Sequence, residues 1–304
     1  MTMRRYDPST DYDTVGRFLI ECFVPGERLQ AWLQPRWEYM HSHSNVDGIR
    51  LRDIGIAEEG NSVLGVVHPE HSPAFAYLQT RPDRLDVVPL LLDWAQKHLG
   101  GWSQSFERVI LGIFVNDEDT AEFVADRGFS RDDYSEAHAR LDLSAPLPAA
   151  ITADGYRIQS LAENNDHTEI NRVLWNGFDH DGPPPDEHIP SRLRAQQTPN
   201  YSLDLNIVAV SPEGHFASYA GIWIEPVNKV AYVEPVATDP DHRSLGLGGA
   251  VVVECLRRAR DRGATIAWVG SDQAFYRALG FEVTCASNLW IKEPDSDPRP
   301  SKGQ

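Results

Sequence analysis

Apolar positions recur along this chain with two different periods, and the periods come in the same order twice. Val15, Phe18, Leu19 and Phe23 fall three to four residues apart within residues 11–23, and Ile170, Val173, Leu174 and Phe178 repeat that spacing within residues 165–178. Such spacing puts side chains on one face of an amphipathic helix. Each stretch opens near Asp or Asn, the residues that cap helices, and each follows a short strand signal, Arg5-Tyr6-Asp7 or Tyr156-Arg157-Ile158. Apolar or alternating runs over 206–210, 216–224 and 230–238 predict strands, with a hairpin signal, Ser211-Pro212-Glu213-Gly214, between the first two.

Long helices are predicted over 87–99 and 248–262, closed by Gly100-Gly101 and by Gly263; apolar strands over 109–115 and 264–269 follow them. After each strand comes a short helix stopped by glycine and followed by phenylalanine, Ala121 to Gly128-Phe129 and Gln273 to Gly280-Phe281. Glycine supplies the left-handed residue that ends a helix, and phenylalanine starts a strand. Antiparallel strands followed by strand–helix–strand units make mixed α/β domains, so the sequence reads as two of them in tandem. Leu143-Ser144-Ala145-Pro146-Leu147-Pro148-Ala149-Ala150 suits a linker. The expected organisation is a first domain over 1–145, a linker over 146–154, a second domain over 155–292 and a disordered tail over 293–304, where apolar residues are too few to offset the entropy of ordering.

The formal net charge of −17 repels phosphate backbones and argues against nucleic acid as a partner; an acidic field favours a cationic small molecule such as an amine. Cys22, Cys255 and Cys285 form no CxxC pair, and no His/Cys/Asp group has ligand spacing, so neither a disulfide framework nor a metal is expected. No run of eighteen apolar residues occurs and the N-terminus leads into no apolar stretch, so no membrane association and a cytoplasmic location are expected.

The strongest chemical signal follows the strand that ends Glu234-Pro235-Val236-Ala237-Thr238. Asp239-Pro240-Asp241-His242 leads into Arg243-Ser244-Leu245-Gly246-Leu247-Gly248-Gly249-Ala250, where glycines open a helix. Without β-carbons the backbone comes close to a phosphate, and the helix N-terminus presents unpaired N–H groups and the positive end of its dipole. Arg243 adds a positive charge. No Lys-Ser or Lys-Thr follows the glycines and Val251 stands three residues past Gly248, which excludes a nucleotide P-loop and the dinucleotide fingerprint.

Residues 236–248 resemble the acetyl-CoA motif of the GNAT superfamily, a strand, a proline turn and Arg-x-x-Gly-x-Gly. Ala274-Phe275-Tyr276-Arg277-Ala278-Leu279-Gly280-Phe281 is similar to that family's helix ending in Tyr and Leu-Gly-Phe. The likeness covers residues 155–292, while residues 1–145 match in element order only. It implies an α/β fold of two tandem GNAT-like domains, each a mixed, mainly antiparallel twisted sheet flanked by helices, and an N-acetyltransferase that takes acetyl-CoA as co-substrate. It further implies that Val236, Ala237 and Thr238 face the thioester and pantetheine, and that Arg243 through Ala250 hold the pyrophosphate. Ser271 stands where many relatives carry an Asn toward pantetheine, Phe275 flanks the cofactor, and Tyr276 falls at the general acid.

For the base, Glu234 stands two residues beyond Tyr232, on the same strand face if no bulge intervenes. Glu234 reads equally as a base, a cation anchor or a solvated carboxylate. Asp179 and His180, in Asp179-His180-Asp181-Gly182, lie where family members receive substrate, or form a solvated acidic loop. Trp175 reads as core. In the first half, Leu78 to Asp86 contains no glycine and Val124 takes the place of the tyrosine, so this half is expected to have lost acetyl-CoA and to serve the substrate cleft or a homodimer. The expected reaction is direct transfer of acetyl to a primary amine of a small molecule. The rival is a non-catalytic acyl-CoA sensor. A Cys-based relay is disfavoured, Cys285 being nearest in sequence to the second motif.

Overall fold

The computed structural model describes residues 1–293 except 27, 30, 45, 47, 48 and 151. Of the expected tail, 294–304 lie outside the described residues, while Glu293 accepts an ion pair from Arg108 at 2.8 Å. Strands are β1 Thr2–Arg5, β2 Gly55–Glu59, β3 Ser62–Pro69, β4 Phe75–Thr80, β5 Gly101–Ser103, β6 Arg108–Val115, β7 Ser130–Asp142, β8 Arg157–Ser160, β9 Asn206–Val210, β10 Phe216–Glu225, β11 Val230–Thr238, β12 Ile266–Val269 and β13 Glu282–Lys292. Helices are α1 Pro8–Cys22, α2 Gln34–Ser42, α3 Val88–His98, α4 Glu118–Asp126, α5 His167–Gly177, α6 Ile189–Ala195, α7 Leu247–Asp261 and α8 Ala274–Ala278. No described helix is long and apolar enough to cross a membrane.

The chain forms two compact units that are not separated at a single point. One comprises Met1–Gln34, Asn45–His138 and the chain from Thr284; the other comprises Pro35–Ser44 and Ala139–Val283. In the second unit β8, β9, β10 and β11 pair antiparallel in that order, β11 pairs parallel with β12, and β12 pairs antiparallel with residues 139–142 of β7. The first unit repeats the scheme: β1 to β4 antiparallel, β4 parallel to β6, and β6 antiparallel to residues 288–292 of β13. These are mixed, mainly antiparallel sheets with helices against them, as the sequence implied. What the sequence did not show is that each sheet ends on part of the strand that closes the other half of the sequence, β7 for the second unit and β13 for the first.

The second unit is built around a sheet buried on both faces. Along β9, Ile207 and Ala209 pack in one cluster with Val251, Cys255 and Ala259 of α7, while Val208 and Val210 pack in another with Ile170, Val173 and Leu174 of α5. The period of two in the strand and of three to four in the helices meet at these contacts. Leu147 and Ala153, in the expected linker, pack against the α7 cluster. The β9–β10 turn closes through Ser211, whose N–H donates to the His215 carbonyl at 2.8 Å. Asp166 caps α5 by accepting from the Thr168 and Glu169 amides.

In the first unit the parallel pairing of β4 and β6 ends at Tyr77 and Phe114. Trp32 fills the space beyond, its ring 4.7 Å from that of Tyr77 and 4.3 Å from that of His68, while its backbone N–H donates to Gln79 Oε1 at 2.8 Å. A cavity of about 20 Å³ remains. The glycine-free loop is held by Arg81, which donates to the Val63 carbonyl and to Glu21, and Val124 is fully buried.

Candidate active site

β11 is buried throughout from Val230 to Val233, then alternates, with Glu234, Val236 and Thr238 partly exposed and Pro235 and Ala237 buried. The change marks the end of its pairing with β12. The parallel ladder runs through Val230–Ile266, Ala231–Ala267 and Tyr232–Trp268 and goes no further. Beyond it the strands part, which leaves one edge of β11 without a strand partner among the described residues, and main-chain groups at such an edge call for a partner.

The parting opens a cleft of about 830 Å³, within the range of ligand sites, lined by Glu234, Val236, Ala237 and Thr238 from β11, by Val269 at the end of β12 and by Gly270 and Ser271 after it. At one end stands the glycine turn. Ser244 and Gly246 both take left-handed φ values, 63° and 76°, which fold the chain back into α7 with Gly246 as its N-cap. A side chain at 244 bears a steric cost in that conformation, whereas Gly246 does not. A β-carbon on Gly248 would stand 3.1 Å from Thr238 Oγ1 and 3.4 Å from the Phe275 ring, so this position admits only glycine without displacing the cleft wall. The amides at the start of α7 thus face the cleft beside a backbone bare of side chains.

The turn is tied to α5. Asp239 accepts from Arg172 Nη1 at 2.6 Å, Asn176 Nδ2 at 2.9 Å and the Asp241 amide at 3.2 Å. Burial alone would raise its carboxyl; these donors outweigh it and hold the group below the usual carboxylate range. Arg243 donates to the carbonyls of Thr238 and Gly177 at 3.2 and 3.1 Å and to Asp179 Oδ1 at 2.8 Å. Gly177 is itself required: a β-carbon there would lie 2.7 Å from Ala237 Cβ and 2.9 Å from the Thr238 nitrogen.

Tyr276 also lines the cleft. α8 is short, and its aromatic face fixes the ring between Phe275 and Phe281, at 4.9 and 5.8 Å. Among the described residues its hydroxyl makes no hydrogen bond. Burial, and after it the charge of Glu234, raises the phenol well above its ordinary value, so the group carries its proton throughout the neutral range.

Fourteen of the residues singled out from sequence meet here: Asp179, Glu234, Val236, Ala237, Thr238, Arg243, Ser244, Gly246, Leu247, Gly248, Gly249, Ser271, Phe275 and Tyr276. Four do not. Leu245 points to solvent, and the Ala250 amide donates to the Gly246 carbonyl at 3.0 Å, as the first closed bond of the helix must. His180 stacks at 4.3 Å on Trp175, a ring expected in the core and found partly exposed. Tyr232 is buried within the paired part of β11, opposite Trp223 and Trp268. It is parted from Glu234 by an irregularity in which Gly221 of β10 faces both Glu234 and Pro235. Proline cannot complete a ladder, which is the sequence signal for that irregularity.

Sequence reasoning missed Gly177, Phe178, His242, Val269, Gly270 and Gln273 in the wall. Gly177, ahead of the expected helix end at Phe178, was the available clue. The cysteines stay out of it: Cys22 and Cys255 are buried, which pushes both thiols up, Cys22 to about 12, and Cys285 belongs to the first unit, where its sulfur accepts the Leu29 N–H. No group of side chains suited to a metal occurs among the described residues.

A strand, a proline turn and a glycine-opened helix stand together as the sequence motifs implied, the parting of the strand pair being added by the structure, and residues 169–281 match the family model described as Acetyltransferase (GNAT) family. Residues 169–281 belong to the GNAT acetyltransferase family. Mycothiol acetyltransferase of Saccharomonospora viridis is 26% identical over 231 residues, spanning 69% of this chain and 76% of that protein. A GCN5-related N-acetyltransferase from Sphaerobacter thermophilus superposes over 97% of this chain and 96% of its own with a TM-score of 0.64 at 15% identity. A tandem GNAT protein from the clavulanic acid biosynthesis pathway does so over 99% of both chains with a TM-score of 0.63 at 17% identity. The GNAT fold therefore extends to the tandem arrangement, and the GNAT domain of this chain carries the cleft.

Proposed function

We propose that the chain transfers acetyl from acetyl-CoA directly to a primary amine of a small molecule. The observation that carries this reading is the parting of β11 from β12 beyond Tyr232 and Trp268, with the Gly246–Gly249 helix opening and Tyr276 both lining the cleft that results. The glycine positions and the free α7 amides fit a pyrophosphate, since a β-carbon at Gly248 would fill the space beside them. The unpaired edge of β11 from Val236 to Thr238 fits the amide-bearing pantetheine arm as an added strand would. The co-substrate supplies an acyl carbon activated by a thiol leaving group.

The residues then divide the proton work. Glu234 takes a proton from the incoming ammonium, directly or through water, and a neutral amine attacks. A main-chain amide near Ala237 faces the carbonyl oxygen where charge develops. As carbon–nitrogen bonding replaces carbon–sulfur bonding, Tyr276 donates its proton to the departing thiolate. A phenol kept protonated by its surroundings is suited to that donation and unsuited to act as base. Holding both partners in one cleft removes the need for a covalent enzyme intermediate. The net charge of −17 draws cationic acceptors toward the protein.

Free-thiol release from acetyl-CoA across a panel of amines tests the reading. Amine-dependent release supports it; binding of acetyl-CoA with no release over the panel would leave a sensor instead.

A further inference from the structure

Next to the cleft, in the same unit, lies a smaller cavity of about 30 Å³ lined by Arg192 of α6, Tyr201, Tyr219 and Trp223, Pro235 of β11 and Tyr39 of α2. No Asp or Glu is among its lining residues. Arg192 Nε is buried there without a hydrogen-bond partner among the described residues. Arg192 as a whole is only partly exposed, and withdrawing part of a guanidinium from water is costly unless the charge is paired, normally with a carboxylate. Here its neighbours are three phenols. Tyr219 spends its hydroxyl proton on Asn206 Oδ1 at 2.5 Å, and Tyr201 and Tyr219 oxygens are 3.4 Å apart. Burial, set against the nearby oxygens of Tyr39, Tyr219 and Tyr201, holds the guanidinium below its ordinary value.

The arrangement is built rather than incidental. Glu38, fully buried on α2, accepts from the Asn200 amide at 3.0 Å and from Asn200 Nδ2 at 2.9 Å, which fixes the neighbours of both residues, Tyr39 and Tyr201. Trp223 is held by its Nε1–H to the Glu234 carbonyl at 2.7 Å and packs edge-on against Tyr39 and Tyr201. A cavity of this size admits a group of two or three heavy atoms.

The cavity and the cleft are lined by neighbouring residues of the same two elements. Pro235 lines the cavity, while Glu234 and Val236 on either side of it line the cleft. On α5, Leu174 lines the cavity and Gly177 the cleft, three residues apart and so about 4.5 Å along the axis.

We infer that this cavity is a carboxylate subsite in which Arg192, with the hydroxyls around it, receives the acid end of the acceptor, so that the acceptor is an amino acid or another short amine bearing a carboxylate. The inference rests on the proposed acetyl transfer in the neighbouring cleft: the ammonium end lies toward Glu234 and the carboxylate toward Arg192. An acid end also explains why a chain of strongly negative charge would keep, beside an amine site, a guanidinium with no carboxylate among the residues lining its cavity.

Product analogues test this without turnover. N-acetylglycine, N-acetylalanine, N-acetylglutamate and Nε-acetyllysine, each against its carboxamide, are titrated calorimetrically into the full chain with and without CoA. At least one acid is expected to bind at least tenfold more tightly than its amide, Arg192→Met to bring the acid down to the amide, and Tyr39→Phe to weaken the acid a few-fold with the fold intact. Equal binding of every acid and amide, absence of binding by any acid, or an acid preference that survives both substitutions would overturn the subsite. CoA affinity in the same samples separates the two claims: CoA binding without acid preference removes the subsite alone, and loss of CoA binding in the wild type removes the reading of the cleft.

Discussion

Arg243 Nη2 donates to Asp179 Oδ1 at 2.8 Å across the mouth of the cleft, so the cation expected to meet phosphate is paired with a carboxylate at the end of α5. Both side chains are substantially exposed, and an exposed pair contributes about 1 kcal/mol or less. Asp179→Asn should therefore release Arg243 and tighten acetyl-CoA by roughly two- to fivefold, whereas Arg243→Gln should weaken it. Calorimetric affinities at low salt decide the matter. Weaker binding in Asp179→Asn would mean that the pair positions the loop rather than restrains the charge.

Tyr276→Phe keeps the ring between Phe275 and Phe281 and removes only the hydroxyl. With a general acid lost, kcat should fall by roughly 10²-fold or more while acetyl-CoA affinity persists. If the ring serves packing alone, Phe fills the same space and the rate stays at the wild-type value.

The Asp239 carboxylate gathers Arg172, Asn176 and the Asp241 amide at the turn before the glycines. Asp239→Asn should destabilise the protein by about 1–3 kcal/mol at pH 7. Because the folded state holds this carboxyl below its unfolded value, its contribution is present above the unfolded value near 4 and is lost as pH falls through the folded one. The gap in melting temperature between wild type and variant should thus narrow below about pH 4. A gap that is constant with pH would show that shape, not charge, matters at 239.

Local features of the fold were legible. β9 and β11 take the bounds their apolar runs predicted, and α7 begins at the glycines because backbone chemistry there is local. The exchanged strand ends were not legible: residues 288–292 pair with 111–115, and 139–142 with 266–269, over sequence separations that no period records. α2 was missed for a different reason. Trp37, Met40, Arg36 and Glu38 are all buried, so apolar and charged residues share its faces and no amphipathic stripe survives. Arg192 and Tyr39, far apart in sequence, meet only through that helix.

The central claim, a single acyl-CoA site in the cleft of the second unit, is tested most directly by calorimetric titration of acetyl-CoA into the wild type and Gly248→Glu, with melting curves confirming the fold. The account predicts one site per chain in the wild type, since Trp32 fills the counterpart opening in the first unit, and no binding in the variant, where a side chain and a negative charge enter beside Thr238. Two equivalent sites, or unchanged affinity in a folded Gly248→Glu protein, would contradict it.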